Sequence, residues 1–301
     1  MHVRRKVLRW LVGLPVGVAF LASPMAAVVG GTTTTEFPEV GALIQGATLF
    51  CGGVLIGPAC ILTAAHCVES GTITDMRFFL GPDIAGPADF EADLVAAELH
   101  PQWAGTPGEF DLAVVSLASA TAVPPLGFAA PGGSGTSVTI VGLGSDGAGG
   151  AGVKRFASVD VLTLTSLVIT TDGTVANFCA ADSGSPVLVA PGGQRAIAGI
   201  ASGTDDHCET FALSTRADNQ LAAFILPAMA STCVPPGPDS VFDNGFEFDP
   251  PQLDWSLVAP ATSSCFGQCF LFEPGRACNC DEDCLSRLDC CQDLCSACGP
   301  C

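Results

Sequence analysis

Positive charge is scarce in this chain. Eleven Lys and Arg stand against 30 Asp and Glu over 301 residues, a formal net charge of −19. Phosphate binding needs clustered Lys and Arg, so nucleic acid is excluded as a partner. The acidity reads as a solubilising surface charge. Charged residues of both signs make up only 14%, while hydrophobic residues make up 49%. That is too little charge for a disordered polyanion and enough apolar surface for a sizeable core. No repeat of fixed period runs through the sequence, and a collagen or a coiled coil is excluded. Long apolar runs are also missing. The N-terminal run from about Leu11 to Ala22 is too short for a settled membrane span, and the uncharged stretch Leu112 to Ser145 is broken by Pro124, Pro125, Pro131 and many glycines. The sequence therefore predicts no transmembrane anchor.

Arg4, Arg5, Lys6 and Arg9 precede the N-terminal apolar run, and small residues follow at Ala22, Ser23, Ala26 and Ala27. This is the layout of a secretory signal peptide over residues 1–27. The Arg4-Arg5 pair also admits a twin-arginine export route. Four of the 11 basic residues and none of the 30 acidic ones lie in this leader, so its removal takes the charge from −19 to −23. Sixteen cysteines suit an oxidising compartment. The expected location is outside the cytosol: extracellular, or periplasmic in a bacterium.

From Val28 to about Cys233 the chain runs in short alternating or β-branched stretches, such as Val138 to Val141 and Val159 to Thr170, separated by Gly, Pro, Asp and Ser clusters. That spacing predicts an all-β sandwich or barrel, with Gly142 to Gly152 as a surface loop. One helix is predicted from Ala217 to about Leu226, with Leu221, Phe224 and Ile225 on one side. Residues 234–264 are Pro- and Asp-rich with no basic residue and read as a linker. Within it, Val241 to Phe248 is both aromatic and acidic, which suits either packing back on a domain or a docking signal. Residues 265–301 carry ten of the 16 cysteines, a density that implies a stapled mini-domain or a metal cluster.

Three segments carry chemistry: Thr63-Ala64-Ala65-His66-Cys67, Phe110-Asp111-Leu112-Ala113-Val114 and Ala181-Asp182-Ser183-Gly184-Ser185-Pro186. A serine hydroxyl is a poor nucleophile at neutral pH. It needs an adjacent base to take its proton and a carboxylate to hold that base in the right tautomer.

In this order, His, Asp and Ser, the segments resemble the trypsin/chymotrypsin family of serine proteases, and the likeness extends over residues 28–233. Val28-Val29-Gly30-Gly31 resembles the family's mature N-terminus, and Phe50-Cys51-Gly52-Gly53 a strand before the catalytic histidine. Ile140-Val141-Gly142-Leu143-Gly144 is similar to the family's V-x-G-W-G with Leu143 in place of Trp, and Thr215-Arg216 precedes the C-terminal helix. The resemblance implies a double six-stranded β-barrel that hydrolyses peptide bonds. His66 would be the general base, Asp111 its orienter and Ser183 the nucleophile, with the N–H groups of Ala181 and Ser183 as oxyanion hole. The family carries Gly where this chain has Ala181 and Ser185. An Ala held at positive φ costs on the order of 1 kcal/mol but keeps its N–H, so activity is expected to be lowered rather than lost, and Ser185 to be tolerated. Cleavage after Ala27 would free the Val28 ammonium to pair with Asp182. Signal peptidase alone would then activate the enzyme, whereas cleavage near Ala22 or Ser23 would leave a trimming step.

By offset from the nucleophile, Asn177 takes the position where trypsins carry Asp, and Ser202, Gly203, Thr204 and Ala212 would form the walls of a narrowed, neutral specificity pocket. The resemblance pairs Cys51 with Cys67 and Cys179 with Cys208. Cys60 and Cys233 are left in regions that touch in this fold and are expected to bond. The tail, Cys265-x3-Cys269-x8-Cys278-x-Cys280-x3-Cys284-x5-Cys290-Cys291-x6-Cys298, with Asp281 and Asp293, resembles a somatomedin-B domain, which implies four disulfides and an extracellular protein ligand. Cys295 and Cys301 are extra, Leu294 stands where Tyr is common, and the chain has no tyrosine at all. No cofactor or metal is implied, the zinc-cluster reading of the tail being the rival. The expected function is a secreted serine endopeptidase acting on a protein or peptide. The alternative is a catalytically silent homologue used for binding, motivated by Ala181.

Overall fold

A computed structural model of the chain describes residues 28–69 and 73–233. The leader 1–27, the linker 234–264 with Val241–Phe248, and the cysteine-rich 265–301 lie outside the described residues.

Among the described residues fourteen strands and one α-helix follow one another: β1 (Thr32–Thr33), β2 (Val40–Gln45), β3 (Thr48–Gly57), β4 (Cys60–Thr63), β5 (Met76–Leu80), β6 (Phe90–Leu99), β7 (Ala113–Leu117), β8 (Gly127–Phe128), β9 (Ser137–Gly142), β10 (Arg155–Leu164), β11 (Val168–Asp172), β12 (Pro186–Val189), β13 (Ala196–Thr204), β14 (Phe211–Arg216) and α1 (Leu226–Thr232). The strands close into two antiparallel six-stranded barrels. The first runs β2-β3-β4-β7-β6-β5. The second runs β10-β11-β14-β13-β12-β9, closed by the pairing of β9 with β10.

Alternation along the strands selects the inner faces. In β6, Ala92 and Leu94 are buried while Glu91, Asp93 and Val95 face outward, as a two-residue side-chain period requires. β7 is buried on both faces, because α1 covers its outer side. Phe78 fills the first barrel, and a Cβ on Gly41 would stand 2.6 Å from its ring, so the large side chain there needs the small one. Leu143 is buried with Ala42, Ile44 and Phe79 of the first barrel. Among the described residues three disulfides form: Cys51–Cys67, Cys60–Cys233 and Cys179–Cys208.

The C-terminal helix differs from the sequence expectation. Asp218–Gln220 is a 3₁₀ turn, Leu221–Ile225 a wider π turn, and α1 begins only at Leu226. Regular helix thus starts where it was expected to stop. Pro227 is the reason: it has no N–H to bond back into the preceding turn, and it sits in the first turn of α1, where none is needed. Phe224 and Ile225 still face the core. Among the described residues no helix is long and apolar enough to cross a membrane.

Candidate active site

His66 lies on a single 3₁₀ turn, Ala65–Cys67, at the end of β4 and is half-buried. Asp111 precedes β7 and is fully buried. Its carboxylate accepts three hydrogen bonds. Oδ2 takes His66 Nδ1–H at 2.7 Å and the Ser202 hydroxyl at 2.5 Å, and Oδ1 takes the His66 backbone N–H at 3.0 Å. An ionised carboxylate only accepts, so Nδ1 carries the hydrogen and Nε2 keeps its lone pair. Burying a charge is tolerable when donors surround it, and Ser202 is itself held by the Gly108 N–H at 2.7 Å.

Ser183 sits on the tight turn between Cys179 and β12. Its carbonyl accepts the Gly52 N–H at 2.7 Å, and Cys67 Sγ lies 3.7 Å from the same oxygen. Gly184 has φ 86°, and a Cβ there would stand 2.2 Å from Thr63 Oγ1. The turn is therefore pressed against the strand end that carries His66. On its other side Gly184 N–H donates to Ala201 O at 2.8 Å, next to Ser202. The hydrogen-bonded set is His66, Asp111 and Ser202; Ser183 Oγ makes no hydrogen bond among the described residues. Neither the Ala181 nor the Ser183 N–H donates to a backbone acceptor among the described residues. Ala181 has φ 65°, the left-handed conformation that disfavours a Cβ.

Asp182 is fully buried, and its carboxylate accepts the N–H groups of Gly144 at 2.7 Å and Cys179 at 3.0 Å. Burial outweighs these donors and pushes its carboxyl up to about 7. Its niche has no spare room, since a Cβ on Gly142 would stand 2.0 Å from Oδ1. Val28 is buried in the second barrel beside Ile140 and Phe178. The Asn177 N–H donates to Val29 O at 3.0 Å, which brings the N-terminal segment to the loop leading to Asp182.

A cavity of about 120 Å³ opens beside Ser183, lined by Phe178, Ala180, Ala201, Gly203 and Thr204 among others. Of the five expected pocket residues, Gly203 and Thr204 line it. Asn177 lies behind the lining, fully buried, with Nδ2 donating to Thr204 Oγ1 at 2.9 Å and to Phe211 O at 3.0 Å. Ala212 is buried as the cross-strand partner of Thr204. Ser202 lies between Ala201 and Gly203, which line the cavity, and its hydroxyl faces Asp111. The pairing of β13 with β14 shifts between Ala201 and Gly203, and such a bulge re-aims the side chain at its centre.

Two further residues escaped the sequence reading. His100 is buried and stacked on Phe110 at 4.8 Å, with Nε2 3.1 Å from Gln220 Oε1 and Nδ1 accepting the Gln102 N–H at 3.1 Å. Burial holds it below the ordinary histidine range, so it stays neutral while buttressing Phe110, which has φ 56° immediately before Asp111. Trp103 lies 6.4 Å from the His66 ring, its Nε1–H donating to Glu69 Oε2 at 2.7 Å. The only sequence signal for either was the segment His100-Pro101-Gln102-Trp103, shortly before Asp111.

The trypsin family profile matches residues 28–218. Among relatives, Achelase-1 of Lonomia achelous is 30% identical over 142 residues, covering 44% of this chain and 66% of the relative. Trypsin, alkaline B of Manduca sexta is 31% identical over 99 residues, covering 31% and 39% respectively. Granzyme M of Homo sapiens is 31% identical over 93 residues, covering 30% and 36%. The chain thus spans just under two thirds of the first of these relatives and less than half of the others. With two closed barrels, an Asp-held histidine and a serine turn pressed against it, the chain belongs to the trypsin family.

Proposed function

We propose that this chain is an exported serine endopeptidase working through Ser183, His66 and Asp111. The observation that carries the reading is the 2.7 Å contact from His66 Nδ1 to buried Asp111, which leaves the Nε2 lone pair for the serine proton. In the proposed cycle His66 takes the Ser183 hydroxyl proton as Oγ attacks the scissile carbonyl carbon. The N–H groups of Ala181 and Ser183 hold the oxyanion. His66 then gives the proton to the leaving amine, and water hydrolyses the acyl-enzyme by the same route.

The test is intact-mass analysis of the processed, oxidised protein before and after a fluorophosphonate probe. One adduct, absent in Ser183→Ala, is expected. The φ of Ala181 favours a second reading, the silent homologue. It predicts no adduct on the wild type and an adduct on Ala181→Gly. Under the active reading Ala181→Gly raises kcat by less than ~10-fold, because alanine retains the donor, whereas loss of a donor is a ~10²–10³-fold effect.

For specificity, the neutral Asn177 amide is already committed to Thr204 and Phe211, so no buried charge awaits Lys or Arg. The 120 Å³ cavity suits small or medium uncharged side chains. In a peptide panel, substrates with Ala or Val before the cleaved bond are expected to be hydrolysed at least ~10-fold faster than those with Arg or Lys, a difference near 1.4 kcal/mol. Best cleavage after Arg or Lys would overturn this reading.

Activation is proposed to follow release of Val28, whose ammonium would neutralise Asp182. The folded-state pKa of about 7 lies above the unfolded value of 3.8. Between these pH values the folded state binds more protons, so stability falls as pH rises from 4 to 7 and is level above that. For chain that retains Ala27 the fall is on the order of 4 kcal/mol. Chain starting at Val28 should lose most of that dependence. Urea unfolding at pH 4.5 and 7 checks both, and equal slopes for the two chains would sink the pairing.

The leader over 1–27, the linker 234–264 and a somatomedin-B-like module over 265–301 that binds an extracellular protein complete the proposal. They are supported by sequence pattern, and export also by the three disulfides.

A further inference from the structure

A groove of about 600 Å³ lies at the Ala196 end of β13, whereas Ser202 stands near the other end of that strand. Pro38, Pro124, Pro125, Leu126, Phe128 and Arg195 line it, with buried Glu39 and part of Gln194. We propose that this groove seats the chain's own segment Val241–Phe248, folding the linker back on the protease domain.

Three observations select that occupant. The first is charge. The segment and its flanks bring Asp239, Asp243, Glu247 and Asp249 and no cation, onto a protein that offers few. Among the described basic residues, Lys154 and Arg155 are buried, Arg216 is paired with Asp218, and Arg77 with Glu91. Arg195 stands partly exposed in the groove, over the Phe37 ring at 4.9 Å, and is also paired, with Nε 2.9 Å from Glu39 Oε1 and Nη2 3.4 Å from Glu39 Oε2. Unlike the other two pairs this one lies in the groove, and the Nη1 donors, which Glu39 does not engage, can serve a second carboxylate.

The second is apolar chemistry. Phe242, Phe246 and Phe248 lie within seven residues, and proline rings with Leu126 and Phe128 form a floor on which such rings bury area. Elsewhere the exposed large hydrophobic residues, Phe50, Val95, Leu162 and Val175, sit on separate elements.

The third is reach. The described chain ends at Cys233, bonded to Cys60 with a Cα–Cα distance of 5.6 Å. Cys60 pairs with Gly57 of β3, and two residues back Leu55 O accepts the Leu126 N–H at 3.1 Å, at the groove's edge. Residues 234–240 can span up to roughly 23 Å when extended, enough to bring Val241 to this edge. The leader, whose charges are basic, lacks the complementarity.

The inference does not rest on proteolysis, since a silent homologue would fold its linker back equally well. The test uses the full-length oxidised protein with Phe246→benzoylphenylalanine. On irradiation, crosslinks are expected within one chain, to residues 122–129 or 190–197. Alongside, amide exchange across 124–129 and 191–196 is expected to quicken at least ~5-fold in the Phe242→Ser, Phe246→Ser, Phe248→Ser variant, because a docked segment shields those amides. Crosslinks between chains would mean that a second copy takes the groove. Those, crosslinks elsewhere, no crosslink above that from the same probe at Ser263, or equal exchange in the two proteins each overturn the proposal.

Discussion

Ser183→Ala is expected to lower kcat by about 10⁶-fold, the loss that follows removal of a nucleophile acting as one unit with its base. The variant should fold normally. The Ser183 contacts that fasten the turn are main-chain ones, through its carbonyl to Gly52, and Gly184 supplies the close approach to Thr63. Alanine retains both. Substrate KM should therefore move little, while residual turnover reflects the oxyanion donors and binding alone. Steady-state assay of a peptide with a small uncharged side chain before the scissile bond reads this directly. A drop of less than ~10²-fold, with thermal unfolding unchanged, would mean that another group carries the chemistry.

Asp111→Asn is expected to cost about 10⁴-fold in kcat with little change in fold. Asp111 receives only donors: His66 N–H on Oδ1, His66 Nδ1–H and the Ser202 hydroxyl on Oδ2. An asparagine of the same shape must turn its NH₂ toward one of these. With its oxygen kept for the backbone N–H, the NH₂ meets the imidazole and drives the ring hydrogen to Nε2. That nitrogen can then no longer accept the serine proton. Ser202 can rotate to accept from the amide, so the scaffold is spared. Assay of kcat, with urea unfolding as the control for folding, decides the matter. A loss of ~10-fold or less would mean that Asp111 positions the loop without setting the tautomer.

How much of this was legible before folding differs residue by residue. His66, Asp111 and Ser183 stand out because their chemistry demands those residue types and because each sits in a short local pattern. The strands were readable because the alternating or β-branched stretches within β9 and β10 are written in adjacent residues. The pairing of Cys60 with Cys233, 173 residues apart, followed from elimination and a resemblance. Regular helix starts later than the apolar side formed by Leu221, Phe224 and Ile225 suggests, because Pro227 fits only its first turn.

Other features had no local signature. A one-residue shift in strand pairing turns the Ser202 hydroxyl onto Asp111, 91 residues away. His100 and Trp103 look ordinary in sequence; their roles come from what the first barrel's closure places beside them, Phe110 in one case and His66 in the other. That Asn177 spends its amide on Thr204 and Phe211, and that Asp182 is sealed in a niche cut by two glycines, are likewise facts of packing.

The sequence by itself determined the class of chemistry, the all-β pattern and the candidate residues for that chemistry, since these depend on side-chain type and near-neighbour periodicity. Only the tertiary structure decided which donors surround Asp111, how Asp182 is desolvated and where the proline-lined groove lies. These depend on strand register and barrel closure, which bring together groups that the sequence keeps tens to hundreds of residues apart.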